Sequence, residues 1–393
     1  MGEHICFTVL TSDTPSGFTD QLFQFNTFYK LGLSLGYKYL HTEFESPRSA
    51  PGIYDFLGFN EYFRDANLLC DTSRFDRVFL IDLDDDLIRV AGIQSFESLK
   101  NHVVSRVGQA SSSNHKLVQF RLAGKRGFFD LINNHIARLQ DGLSLRDIYL
   151  DARIKDPCRP VFAPGKIRVL VHIRQGDTAI IATPWGTHIP VTRHIYPELR
   201  EFNSLEDIGH ASNSVGVNDF YRATSTLLSL FGEDSLSVIV SSDGFSRAFE
   251  RIFREGEECG ISAEQLSSLR QVEQEYQALY LKFNSLVDVE CIVGETEDNL
   301  YRFIHASLFA DIIVIGTQQR MMQKLLLSFH NPANHPVIIM LNNRSVPEHS
   351  RQVSFHTGYS TIIPASLKDK HIYISAFQEV VRLINMKHET SNG

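Results

Sequence analysis

An α/β chain of two doubly wound, Rossmann-like domains facing a cleft is the architecture this sequence predicts, and three observations predict it. Short apolar runs of strand length alternate with longer segments of helical period. Many of those runs are continuously apolar rather than alternating, as expected of parallel strands covered on both faces. A stretch with three prolines and a glycine, IKDPCRPVFAPGK over 154–166, separates two such sets near residues 151–164. Right-handed crossovers would wind each set into a layered sheet. The implied domains are 1–160 and 161–370, with a terminal helix and tail over 371–393 placed to pack back on the first domain.

The elements follow in chain order. Residues 5–10 form a strand-like run that ends at Thr11, Ser12 and Asp13. Residues 21–35 read as a helix, with Leu22, Phe25, Phe28, Tyr29 and Leu33 mostly on one face. Strand-like runs cover 78–81 and 117–120, and an amphipathic stretch covers 128–139. In the second half, strands are predicted at 167–173, 236–240, 287–293, 312–315 and 337–341. Helices are predicted between and after them, at 220–231, 245–253, 263–283, 300–309, 321–329 and 374–384. The segment 181–217 has no sustained period and holds Pro184, Pro190, Pro197 and the single tryptophan, Trp185. A loop of that length inside a compact domain is usually functional or disordered.

Composition narrows the classes. A chain of 393 residues with 43% hydrophobic and 21% charged residues is an ordinary globular protein, which excludes wholesale disorder and collagen-like repeats. A net charge of −8 disfavours wrapping of duplex nucleic acid, which needs a basic face. Five cysteines, odd in number and without a CxxC pair, fit neither a zinc ribbon nor a disulfide framework. With no apolar run of membrane-spanning length and no signal-like start, the expectation is a cytoplasmic protein with reduced thiols and no integral membrane segment. Walker-type, GxGxxG and HExxH motifs are missing, so P-loop, dinucleotide and zincin readings have little support.

The strongest chemical feature is RVLVHIRQGDTA over 168–179. An apolar strand delivers His172 and Arg174 to its C-terminal end, on the same side by alternation, followed by Gly176 and Asp177. Ligands of open α/β sheets bind outside the carboxyl ends of the strands. A guanidinium there can hold a phosphate in bidentate fashion and neutralise charge on a leaving diphosphate. The alternative is a buried strand that ends in a structural Arg–Asp pair.

The spacing H-x-R-x-G-D after an apolar strand resembles the motif of the fucosyltransferase superfamily, which includes the α1,2-, α1,6- and protein O-fucosyltransferases. The resemblance implies a GT-B fold of two Rossmann-like domains. It also implies that Arg174 binds the diphosphate of GDP-fucose, with His172 beside it. Gln175 stands where the family often has a second arginine.

Three further segments agree in order. Ser16, Gly17, Phe18, Thr19, Asp20, Gln21, Leu22, Phe23 and Gln24 resemble the GGxGNQxFQ segment of α1,2-fucosyltransferases, with Asp20 in place of the asparagine. The alternative there is an ordinary helix start capped by Thr19 or Asp20. The run 238–244 ends in Ser241, Ser242, Asp243 and Gly244 and resembles the family's nucleotide-contacting strand end, the alternative being a helix cap at a βα turn. The strand at 312–315 leads into Gly316, Thr317, Gln318 and Gln319, where the family writes Ser-Ser-Phe-Ser or a near variant.

The resemblance therefore implies a catalytic set of Arg174, His172 and Asp177, and a donor-binding set of Gly17, Gln21, Arg174, Ser242, Asp243, Gly316, Thr317 and Gln318. Asp20 and Trp185 fall on the acceptor side, and Asp177 and Asp20 are the general-base candidates. The implied reaction is inverting, metal-independent and cofactor-free transfer of fucose from GDP-fucose to a hydroxyl of a glycan, lipid-linked or protein acceptor.

Two alternatives stand beside this expectation. Gln175 and residues 316–319 depart from the family pattern, as in a catalytically silent nucleotide-sugar or glycan-binding relative. The strand end Asp82-Leu83-Asp84 has the D-x-D form by which metal-dependent GT-A glycosyltransferases hold a divalent cation.

Overall fold

The computed structural model describes residues 4–10, 18–44, 58–83, 92–93, 95–108, 115–122, 145–152, 162–176, 179–191, 201–204, 215–294, 296–316, 322, 325–326, 329, 335–343 and 361–391. The chain divides into two compact units, Met1–Cys158 with Arg320–Ala333, and Arg159–Gln319 with Asn334–Gly393. Each is a mixed α/β layer built on a parallel sheet.

The first unit has four strands: β1 (His4–Val9), β2 (Lys38–Tyr39), β3 (Arg77–Leu83) and β4 (His115–Leu122). Their order is β2-β1-β4-β3, and every pairing is parallel. Helix α1 (Phe18–Ser34) follows β1 and buries Leu22, Phe23, Phe25, Phe28 and Leu31. Gln24, Asn26, Thr27 and Lys30 are buried as well, so the helix is covered on more than the one face its apolar period predicts. Gly32 lets it approach β1, because a Cβ there would lie 2.4 Å from the Phe7 ring. Shorter helices α2 (Phe59–Asp65), α3 (Phe96–Gly108) and α4 (Arg146–Ala152) belong to the same unit. The Phe329 ring lies 5.2 Å from that of Tyr149, inside the same unit.

An aromatic cluster of Phe7, Phe25, Tyr39, Phe44, Phe59 and Phe63 encloses His41. The Tyr39 hydroxyl lies 2.8 Å from His41 Nδ1, and His41 Nε2 lies 2.7 Å from Asn60 Oδ1. Asn60 Nδ2 donates to the Phe44 carbonyl at 3.0 Å, which fixes Oδ1 as the acceptor and assigns the imidazole proton to Nε2. Burial pushes the His41 pKa down to about 4.

The second unit has six strands in one sheet: β5 (Ile167–Ile173), β8 (Leu236–Ser242), β9 (Val289–Val293), β10 (Ile312–Gly316), β11 (Val337–Asn342) and β12 (Thr361–Ser366). The order is β12-β11-β10-β5-β8-β9, all parallel. Counted within the unit, this is the 3-2-1-4-5-6 order of the doubly wound nucleotide-binding folds. Helices α5 (Val217–Phe231), α6 (Ser246–Glu255), α7 (Ala263–Ala278) and α9 (Lys370–Ser391) share one buried apolar core with Val169, Val171, Ile173, Val238 and Val240 of the sheet. Helix α8 (Glu297–Phe309) covers the alternate residues, where the Phe303 ring meets His172.

The structure corrects several expectations. The segment 181–217 is not wholly irregular: β6 (Ile180–Ala182) and β7 (His188–Pro190) form an antiparallel hairpin. The helix predicted over 263–283 ends at Ala278 and tightens into a 3-10 turn over Leu279–Ser285. Helix α9 begins at Lys370 and continues to Ser391, and it packs on the second unit's own core through Tyr373, Ala376, Phe377, Val380 and Ile384. Strand β12 escaped the sequence reading because Pro364 interrupts it, and an edge strand tolerates that residue. The amphipathic stretch 128–139 lies outside the described residues. Among the described residues no helix is long and apolar enough to cross a membrane.

His41 makes a testable contribution to acid sensitivity. Its folded pKa of about 4 lies below the unfolded value of about 6.5, so the unfolded chain binds the extra proton between these values. Stability from this group is complete above about pH 6.5 and declines as pH falls toward 4. In urea unfolding between pH 7.5 and 4.5, His41→Gln should flatten the pH slope by about one proton, or about 1.4 kcal/mol per pH unit. An unchanged slope would show that His41 is not the titrating group.

Candidate functional site

The chain leaves β5 outward through β8 and β9, then returns to the other side of β5 as β10, β11 and β12. The order therefore reverses between β5 and β10, the position at which open α/β sheets bind ligands. The registers open there. β5 pairs with β8 as far as Ile173↔Ser242, and β10 pairs with β11 as far as Gly316↔Leu341. Between β5 and β10 the pairing runs only from Ile312↔Val169 to Val314↔Val171. At the opposite ends the same two strands are clamped. Arg168 Nε and Nη2 donate to the two Asp311 carboxylate oxygens at 2.9 and 2.7 Å, and the Arg168 backbone amide adds a third bond at 2.9 Å.

Arg174, Gln175 and Gly176 leave the open end of β5, and the exit of β8 holds them. The Gln175 backbone amide donates to Asp243 Oδ1 at 2.7 Å. The Gly176 amide donates to the Gly244 carbonyl at 2.8 Å. Asp243 lies so close that a Cβ on Gly176 would sit 2.3 Å from Oδ2 and 3.0 Å from Cγ. Glycine is required here because the carboxylate occupies the space of a side chain. The Gln175 side-chain amide reaches the Val215 carbonyl at 3.5 Å. Val215 and Phe220 also line Gly316 at van der Waals distance, so Gly316 is near the same turn.

His172 is buried at 3% exposure, with its ring 4.4 Å from Phe303. Burial and the Arg174 cation push its pKa down to about 3, against the polar backbone of Ser241. The imidazole is therefore neutral near pH 7 and adds no positive charge to an anion site. Ser242 is buried, and its hydroxyl lies 2.7 Å from the Tyr280 hydroxyl while accepting the Gly244 amide at 3.0 Å. Burial also raises the Tyr280 pKa.

The structure thus brings Arg174, His172, Ser242 and Asp243 together on adjacent strand ends, with Gly316 on the next strand. Trp185 sits in the turn of the β6–β7 hairpin, where its indole N–H donates to Glu201 at 2.7 Å. The hairpin is anchored to the helices behind it. The Ala182 amide donates to the Tyr276 hydroxyl at 2.8 Å, and the buried Arg251 donates to the Val191 carbonyl. Arg251 is in turn paired with Glu255 at 2.9 Å, and the guanidinium groups of Arg254 and Arg251 hold that carboxyl down at about 2. Asp177, Thr317, Gln318 and Gly17 lie outside the described residues. Gln21 and Asp20 belong to α1 of the first unit, where Gln21 is half-buried and the Asp20 side chain is not described.

Asp82 has a local role. It faces Arg121 directly in the β3–β4 register, and Arg121 Nε and Nη2 donate to its two oxygens at 2.6 and 3.0 Å. Its D-x-D partner Asp84 lies outside the described residues, and among those described no cluster of three or more His, Cys, Asp or Glu side chains is placed to hold a metal.

Sequence reasoning missed Tyr280, Phe303 and Val215. Each comes from a distant segment, and no local pattern marks it; only the sheet order brings it to the β5 and β8 ends. Tyr280→Phe tests the buried hydroxyl pair with Ser242. The expected cost is about 1 kcal/mol in urea unfolding, and no loss would mean that the pair is energetically silent. No protein-family model matches the chain, and no curated protein matches its sequence.

Proposed function

We propose that the chain is a glycosyltransferase of the GT-B type, transferring fucose from GDP-fucose to a hydroxyl of a glycan or glycoconjugate. In this reading the second unit binds the donor and the first unit serves the acceptor. The observation that carries it is the coincidence of two independent facts. The H-x-R-x-G-D spacing stands at the exit of the first strand of a 3-2-1-4-5-6 sheet, and that exit adjoins the point where β5 and β10 cease to pair.

The reaction follows from charge. The acceptor oxygen attacks C1 of the sugar as the C1–O bond to the diphosphate breaks, with inversion at C1. The leaving GDP gains negative charge, and the Arg174 guanidinium neutralises it through paired N–H donors. The acceptor proton passes to a carboxylate, for which Asp177 and Asp20 are the candidates. His172 supports this arrangement as a neutral, buried neighbour of Arg174 rather than as a phosphate ligand.

Calorimetry with GDP, GDP-fucose and UDP tests the donor. GDP and GDP-fucose should bind and UDP should not. Arg174→Ala should weaken GDP binding by about tenfold to a hundredfold, with Arg174→Lys intermediate because it keeps charge but not the fork. Equal affinity in Arg174→Ala would reject the reading.

Turnover of labelled GDP-fucose then separates an enzyme from a silent binding relative, which would bind donor without transfer. Activity should survive EDTA, because Asp82 is committed to Arg121. Loss on chelation with rescue by Mn²⁺ would instead favour the Asp82-x-Asp84 metal reading.

A further inference from the structure

We infer that Asp243 is a positioning residue for the Arg174 turn, and that it does not contact the nucleotide itself. This deepens the nucleotide-binding reading and rests on it. The family resemblance alone points the other way, toward a carboxylate that meets the base or the ribose.

The geometry favours the inward role. Oδ1 accepts the Gln175 amide at 2.7 Å, and Oδ2 fills the space beside the Gly176 Cα where a Cβ would fall 2.3 Å away. Oδ1 is thereby bonded to the turn, and Oδ2 lies against it. The next amide, that of Gly176, goes to the next residue of the same strand exit, the Gly244 carbonyl, at 2.8 Å. Two consecutive amides after Arg174 are thus tied to two consecutive residues after β8. Behind them, the Ser242 hydroxyl takes the Gly244 amide and meets the Tyr280 hydroxyl, so the anchor itself is held in the core.

Two consequences follow. The Gln175 and Gly176 amides are already spent on protein acceptors, so neither is a free backbone donor to an anion. Recognition of a diphosphate here falls to the Arg174 side chain, and its aim depends on the backbone that Asp243 holds.

The test uses the full chain, with GDP as the probe and two readouts: calorimetric affinity, and hydrogen exchange of the peptide containing Gln175 and Gly176. Asp243→Asn keeps an acceptor oxygen at the same place but removes the charge; Asp243→Ala removes both. Asp243→Ala should weaken GDP binding by about tenfold and speed exchange, whereas Asp243→Asn should stay within about threefold of the parent. Gly176→Ala, which pushes the carboxylate away from the other side, should follow Asp243→Ala. It carries the test together with Asp243→Asn should Asp243→Ala fail to fold.

Equal losses of affinity in Asp243→Asn and Asp243→Ala would mean that the charge meets the ligand directly, and would overturn the inference. Unchanged affinity and exchange in Asp243→Ala would also overturn it. Failure of the parent protein to bind GDP would reject the nucleotide reading instead. The exchange data would then judge the clamp alone: faster exchange in Asp243→Ala but not in Asp243→Asn upholds it, and no difference refutes it.

Discussion

The pairing of β5 with β10 is the constraint on which the second unit depends. The two strands are far apart in sequence and meet only because the chain doubles back across the first strand. A bidentate Arg168–Asp311 pair, reinforced by the Arg168 amide, closes one end of that contact. At the other end the pairing stops at Val171↔Val314, while each strand goes on pairing with its outer neighbour. Backbone groups freed at such a point must find other partners, because an unpaired buried amide is costly. Beyond the end of β5, the Gln175 and Gly176 amides are bonded to Asp243 and to the Gly244 carbonyl at the exit of β8, so Arg174 stands beside a fixed turn.

Polar side chains in this region serve the scaffold first. Asp243 accepts a backbone amide, Ser242 joins a hydroxyl pair with Tyr280, and His172 lies neutral against Phe303. In a medium of low polarity such groups are retained only where their bonds are satisfied or their charge is suppressed. Behind the turn, Tyr276 and Arg251 anchor the hairpin that follows it, so the segment after the motif is also tied to helices of the same core. The first unit repeats the theme with His41, whose two ring nitrogens are engaged by Tyr39 and Asn60 inside an aromatic cluster.

The acidic residues illustrate how chemistry and architecture compete for the same side chain. Asp82 and Asp243 both stand near strand ends, where carboxylates attract functional readings. Asp82 is matched in register by Arg121, and Asp243 by the Gln175 amide and the Gly176 backbone. In each case the partner lies on a neighbouring strand or its exit, invisible to any reading of the local segment.

Continuous apolar runs were enough to announce β5, β8, β10 and β11, because a strand buried on both faces must be apolar throughout. Helical period likewise announced α1, α5 and α8. Elements whose stability comes from their neighbours escaped notice: the β6–β7 hairpin, the proline-bearing β12 and the short α2 and α4. The sequence by itself determined that His172, Arg174 and Gly176 share one strand end and that Ser242 and Asp243 share another. Only the tertiary structure decided that these ends are adjacent, that β10 parts from β5 beside them, and that Asp243 faces the turn. The reason is that side-chain chemistry is written locally, whereas strand order and register are set by burial of the whole sheet between its helices.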